Sequence, residues 1–240
     1  MIGVIVPARD EAQSIARCVA SIMTAASHLD LDGEQVVVIV VADHCQDQTA
    51  DIARRCGAQV LQAPSPGGVG VARATGAQHA LQAGARWLAT TDADTCVPPD
   101  WLARQLATGA EVVCGTVEVE DWSGYPPEMA QAFMQHEQGV RAHRHVHGAN
   151  MGICARRYVL SGGFGTLACG EDVALVEAAV RSGARVAWPV DLVVTTSSRK
   201  QARAPGGFSS FLIALESRLS DVLVAPVAGE PDHDRVASVP

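Results

Sequence analysis

A chain of 240 residues, 48% of them hydrophobic but only 4% aromatic, carries enough apolar material for one continuous core. That core must be built from Val, Ala, Leu and Ile, a composition suited to buried parallel strands. The formal net charge of -8 and the pI near 5.4 argue against affinity for a phosphodiester backbone, so nucleic acid is not an expected partner.

Short apolar runs alternate with segments of helical periodicity, the pattern of β-α-β units. In chain order this predicts strands at residues 2–6, 36–41, 59–61, 87–90 and 112–119. Helices are expected at 12–26, 49–56, 69–83, 99–107 and 127–142. After residue 145 the rhythm changes to a short segment at 151–155, a turn at Gly162, Gly163 and Gly165, a helix at 172–182 and short strands near Val186 and Val193. Phe208, Phe211, Leu212, Leu215 and Leu219 then fall on one helical face. That face is free to dock on the domain, on a second copy as a homodimer, or peripherally on a membrane surface, with protein favoured because its polar side lacks a basic cluster. The expected organisation is a single α/β domain with a mainly parallel sheet over 1–205, a helix at 206–222 and a loose tail at 223–240.

Seven scattered cysteines without a C-x-x-C pair indicate neither a disulfide framework nor a zinc ribbon, and read as reduced residues of a cytoplasmic protein. Asp10 and Glu11 directly follow the first apolar run, unlike a secretory leader, and no stretch approaches the ~20 apolar residues of a membrane span. A soluble catalytic unit is expected.

Ligands of open α/β sheets bind beyond the carboxyl ends of the strands, and four polar clusters fall there. Pro7-Ala8-Arg9-Asp10-Glu11 follows the first strand, where the two acids can also serve as helix-start charges. The segment 43–49 follows the second; Asp43 can receive a base or ribose, and Asp47 can cap a helix. Gly67, Gly68, Gly70 and Arg73 sit around the start of the third helix, where glycines admit a phosphate and an arginine neutralises it. Asp92-Ala93-Asp94 ends the fourth strand and brings two carboxylates within reach of one hard divalent cation, Mn²⁺ or Mg²⁺. Farther on, Glu171-Asp172 reads either as a helix start or as a general base. His143, His145 and His147 alternate and would share one face if extended; an acceptor-pocket or purely structural role is preferred to a metal site.

In this order the clusters resemble the family 2 glycosyltransferases over roughly residues 2–200. The resemblance implies a GT-A nucleotide-diphospho-sugar transferase fold with a nucleotide-binding half at 1–95 and an acceptor half at 96–205. It places Pro7, Ala8, Arg9, Glu11, Asp43, Gly68, Arg73, Asp92 and Ala93 against a UDP- or GDP-sugar. Asp94, with Asp92 beside it, would hold the metal. Gly148-Ala149-Asn150-Met151, with His147 just before it, is similar to the acceptor segment, so His147, Gly148 and Asn150 are expected near an acceptor hydroxyl, the acceptor itself being unknown. Asp172 falls on the family's catalytic base, with Glu171 adjacent. Two departures stand out: Asp43-His44-Cys45 replaces the usual Asp-Gly-Ser, and a late histidine that completes the metal site in many relatives is missing from the 194–199 stretch. Arg199, Lys200 and Arg203 are candidates to clamp the diphosphate instead. Inversion is expected. The alternatives are a retaining enzyme of the same fold, a sugar-phosphate nucleotidyltransferase, for which the first loop lacks the needed glycines, and a non-catalytic binder.

Overall fold

In the first two strands burial alternates in direction residue by residue. Val4, Val6 and Ala8 of β1 (Ile2–Ala8) and Val38 and Val40 of β2 (Val36–Ala42) face one core, while Ile5, Ile39 and Val41 face the other. A strand buried on both sides is the signature of a sheet covered by helices on both faces. The computed structural model describes residues 1–141, 144–167, 169–200 and 206–224.

The main sheet also contains β3 (Gln59–Gln62), β4 (Trp87–Thr90), β5 (Val112–Cys114), β7 (Met151–Cys154) and β8 (Val186–Ala187), in the order β3-β2-β1-β4-β7-β5-β8. All pairings are parallel except those of β7, which runs antiparallel to both β4 and β5. On one face lie α1 (Ile15–Ala26), α2 (Thr49–Arg55), α4 (Trp101–Ala107), α5 (Met129–Arg141) and α8 (Phe208–Val224). On the other lie α3 (Val69–Gln82), α6 (Ala155–Leu160) and α7 (Glu171–Arg181). The helix α3 has no bulky apolar stripe; small residues Ala72, Gly76, Ala77 and Ala80 let it lie close on β1 and β2.

The strand expected at 112–119 is two strands. It breaks at Gly115, after which β6 (Thr116–Val119) leaves the main sheet to pair in parallel with β9 (Val193–Thr196). A Cβ at Gly115 would meet the Asn150 amide and lie 2.6 Å from the Leu192 carbonyl oxygen, so the turn out of the sheet needs glycine. The first helix starts at Ile15, not at 12, because Asp10 adopts a left-handed φ of 53° and the chain turns over Glu11 before the helix begins. The helix α6 was not expected; Tyr158 anchors it by accepting the Phe164 N–H on its hydroxyl at 3.0 Å.

The apolar face of α8 packs within the chain. Phe133 of α5 lies 5.9 Å and 6.4 Å, ring centre to ring centre, from Phe208 and Phe211, and Leu212 is fully buried. Of the docking options considered for 208–219, the structure shows the first: this face lies on α5 and the core behind it. The tail beyond 224, His143 and Arg203 lie outside the described residues. Among those described, no helix is long and apolar enough to cross a membrane.

Asn150, expected near the acceptor, ties the two sheets together. It is fully buried in a 3-10 turn (Gly148–Asn150), accepts the Trp101 indole N–H at 2.9 Å and donates to the carbonyls of Thr116 and Leu192, both at 2.8 Å. Asn150→Ala leaves an indole N–H and two carbonyls buried without this partner. It should cost roughly 3 kcal/mol or more, read as a lowered urea midpoint.

Candidate active site

Because β1, β2 and β4 run parallel, the loops that follow them emerge on one edge, with Ala8 beside Ala42 and Ile5 beside Thr90. The N-terminus of α3 and the start of α7 open on the same edge. Together they enclose a cavity of about 470 Å³. Pro7, Ala8, Arg9, Glu11, Asp43, Gly68, Arg73, Asp92, Ala93, Asp94, His147, Gly148, Glu171, Asp172 and Arg199 all line it. Asn150 does not.

Arg73, at the start of the second turn of α3, lines this cavity. The guanidinium is almost wholly buried and donates from Nη2 to Asp92 Oδ1 at 2.6 Å and from Nη1 to Glu171 Oε1. Burial works against its charge, but Asp92, Glu171 and Asp172 around it outweigh that and keep it protonated. Gly148 lies against the guanidinium: a Cβ there would come within 2.5 Å of Nη2. Glu171 is raised above the ordinary carboxylate range, chiefly by burial, with Arg73 pulling the other way. Its carboxylate braces Arg73. Asp172, one residue on, accepts the Gly148 N–H on Oδ2 at 2.7 Å and the Val173 N–H on Oδ1 at 2.8 Å. Those two bonds fix its rotamer at the mouth of α7, whose dipole favours a negative charge.

The first two loops are latched to each other. Glu11 N–H donates to Thr49 Oγ1 at 2.7 Å, Ala12 N–H to Asp47 Oδ2 at 3.0 Å, and Gln46 N–H to Asp10 Oδ1 at 2.7 Å. Asp10, Glu11 and Asp47 thus join two loops, and Asp47 also takes the helix-start role expected of it, accepting the Thr49 N–H of α2 on Oδ1 at 2.9 Å. Asp43 accepts the Gly68 N–H at 3.0 Å and lies 2.8 Å from His44 Nδ1, so it holds the glycine turn ahead of α3. Arg9 is the outer neighbour, 4.0 Å from Asp43.

Arg199 reaches in after β9, pairing with Glu11 Oε1 and lying 3.4 Å from Asp94 Oδ2. Lys200 turns away, 2.7 Å from Glu216 of α8 and 4.4 Å above the Tyr125 ring. Asp94 is pushed up to about 7, first by burial, against Arg199, and further by Asp92 and Glu11. Two residues of α5 also line the cavity, His136 and Glu137. Met129, Phe133 and Glu137 recur every four residues and all are buried, a helical stripe that could have flagged Glu137 as an acid on an apolar face.

The sequence model named Glycosyl transferase family 2 matches residues 3–161, more than half of the chain. The chain belongs to glycosyl transferase family 2. No curated protein sequence matches this glycosyltransferase. Among solved structures it is similar to TarS of S. aureus, residues 1–349 in complex with UDP-GlcNAc, with 16% identity and a TM-score of 0.64 over 94% of this chain and 67% of that one. Against a further S. aureus TarS structure it spans only 40% of that chain. It is also similar to glucosyl-3-phosphoglycerate synthase of Mycobacterium tuberculosis in complex with Mn²⁺, UDP and glucosyl-3-phosphoglycerate. There the identity is 19% and the TM-score 0.57, over 93% of this chain and 78% of that one. The same synthase with Mg²⁺ and UDP gives 20% and 0.54. These neighbours share the GT-A fold, α/β with a mainly parallel central sheet.

The raised value of Asp94 predicts how this glycosyltransferase's stability responds to pH in EDTA. A carboxyl whose folded pKa exceeds its unfolded one supports the fold fully below about pH 4, and that support is lost as pH rises through about 7. Asp94→Asn cannot ionise, so relative to the parent it should gain stability between pH 4 and 8, by at most about 4 kcal/mol. Paired thermal melts across that range check this; a difference independent of pH contradicts it.

Proposed function

We propose that this enzyme moves a sugar from a UDP- or GDP-sugar to an acceptor hydroxyl with inversion, using Asp172 as general base and a divalent cation, Mn²⁺ or Mg²⁺, at Asp94 with Asp92. The observation that carries this reading is that Asp94 and Asp172 line one cavity and are linked through Arg73, which grips Asp92 beside one and Glu171 beside the other.

The donor half, residues 1–95, offers the latched loops and the glycine turn before α3. Pro7, Ala8, Arg9, Asp43 and Gly68 form the wall for the nucleoside. The donor set at Asp92 and Asp94 is all oxygen and lies among surplus acids, which fits a hard cation that keeps few protein ligands and takes the rest from phosphate and water. When bound, that cation neutralises the charge developing on the departing diphosphate. Arg199 can deliver a second positive charge to the same place, and its Nε is buried without a hydrogen-bond partner among the described residues.

On the acceptor side, His147 and Gly148 flank the base. Asp172 keeps lone pairs on both oxygens after accepting its two backbone bonds, so it can receive the acceptor proton as the hydroxyl oxygen attacks the anomeric carbon. Helix α7 holds the carboxylate still during that step. The relatives' complexes with UDP, UDP-GlcNAc and divalent metal support the same assignment of donor and cation.

Two measurements test this. In thermal shift, UDP, GDP, ADP and dTDP are compared with and without Mn²⁺; a metal-dependent rise with UDP or GDP is expected, and no such rise with any of them removes the donor assignment. Asp172→Asn should lower transfer by a factor of ~10² to 10⁴ while leaving nucleotide binding intact. Near-normal turnover in that variant would mean that the base lies elsewhere.

A further inference from the structure

Glu137, His145 and His147 form a second cluster of ligating groups on the wall of the same cavity. His145 Nδ1 lies 3.1 Å from His147 Nε2, and that same nitrogen is 3.7 Å from Glu137 Oε2. The three ligating atoms all fall within 4.8 Å of one another. Tetrahedral Zn²⁺ with ~2.0–2.1 Å bonds holds its donor atoms roughly 3.3 Å apart, between the two short spacings seen here. The two imidazoles stand nearly perpendicular, 86° between planes, and share a hydrogen bond at 3.1 Å whose proton a metal would displace.

We propose that these three side chains bind a borderline divalent metal of the Zn²⁺ type, with an open coordination position facing the cavity. The ligand chemistry sets this site apart from the other one. Two imidazoles and a carboxylate suit Zn²⁺, whereas carboxylates alone suit Mg²⁺ or Mn²⁺. Three protein ligands leave a fourth position for a small oxygen ligand. Glu137 is buried on the core side of α5, His147 is partly buried and His145 is exposed, an arrangement closed at the back and open toward the cavity that all three line. His147 immediately precedes Gly148, whose N–H holds Asp172. A metal here therefore lies on the acceptor half, and its role as an anchor for an acceptor oxygen rests on the transferase reading. Its existence does not.

Asp10, Cys45 and Asp47 are the competing cluster, and the experiment separates the two. The full chain is dialysed against Zn²⁺ with Mg²⁺ in large excess to fill the all-oxygen site, and bound zinc is counted by elemental analysis. One Zn²⁺ per chain at micromolar free metal is expected. His145→Ala and His147→Ala should weaken it at least ~100-fold, with Cys45→Ser unchanged. His147→Cys, which keeps a zinc ligand, should restore binding and so separates ligation from folding. With Co²⁺ the parent should show intense tetrahedral visible bands without a thiolate charge-transfer band, and acetate should shift those bands through the open position. No zinc at these concentrations, binding unchanged in the His145→Ala/His147→Ala double variant, or loss with Cys45→Ser would each overturn the proposal. Unshifted bands in acetate would overturn the open position. A chain that binds UDP but no zinc would sink this site alone, whereas one that binds zinc but no nucleotide would remove the donor assignment alone.

Discussion

The site depends on one buried cation. Arg73 leaves the second turn of a helix that lies close on β1 and β2, and its guanidinium is held between Asp92 and Glu171. An arginine cannot neutralise itself when buried, so its desolvation must be offset by paired charge and hydrogen bonds. Removing either carboxylate would strip one charged hydrogen bond from the guanidinium while the other still compensates it, at a cost on the order of 1.5–3 kcal/mol. The loop after β4, the start of α7 and the turn at Gly148 are thereby locked into one geometry, and Gly148 is the residue that lets the backbone approach. Asp172 inherits its position from this lock, because the N–H that orients it belongs to Gly148.

Around that centre the cavity is short of positive charge. Among the described residues its walls carry seven carboxylates, Glu11, Asp43, Asp92, Asp94, Glu137, Glu171 and Asp172, against the guanidinium groups of Arg9, Arg73 and Arg199. Arg73 Nη1 and Nη2 are taken up by Glu171 and Asp92, and Arg9 lies at the outer wall. Under the transferase reading, an anionic diphosphate enters such a cavity at a charge cost that an accompanying cation would offset. Asp94 records the same shortage, since burial and neighbouring acids raise it even with Arg199 beside it.

The parallel strands and the four loop clusters were legible in the sequence because burial on both faces writes continuous Val and Ile runs, and polar residues follow directly where those runs end. The clusters are local, so their meeting at one edge follows from parallel order. What was not legible depends on partners far along the chain. The break at Gly115 exists because the strands on either side of it pair with different sheets. Asn150 reads like an acceptor residue in the segment 148–151, yet its three partners are Trp101, Thr116 and Leu192, and no local pattern announces them. Glu137 left a weak trace as an acid on the buried stripe of α5, but its neighbours His145 and His147 come from the next segment.

Arg199 bears most directly on how donor and metal would combine. It occupies the region where relatives are expected to supply a late histidine, and the two side chains differ in kind. Neutral imidazole donates a lone pair to a metal; guanidinium has none to give and keeps its charge at every relevant pH. With Arg199 beside Asp94, a cation on the donor side finds two carboxylates, one already shared with Arg73, and must complete its coordination from phosphate oxygens and water. Cation and donor then each supply what the other lacks. Under the transferase reading their binding free energies are coupled, and the coupling is reciprocal by linkage: nucleotide strengthens the metal by the same factor as metal strengthens the nucleotide. Under the same reading, the positive charge that weakens the empty metal site becomes useful once phosphate is present, because Arg199 would turn its Nη1 hydrogen bond from Glu11 to the diphosphate.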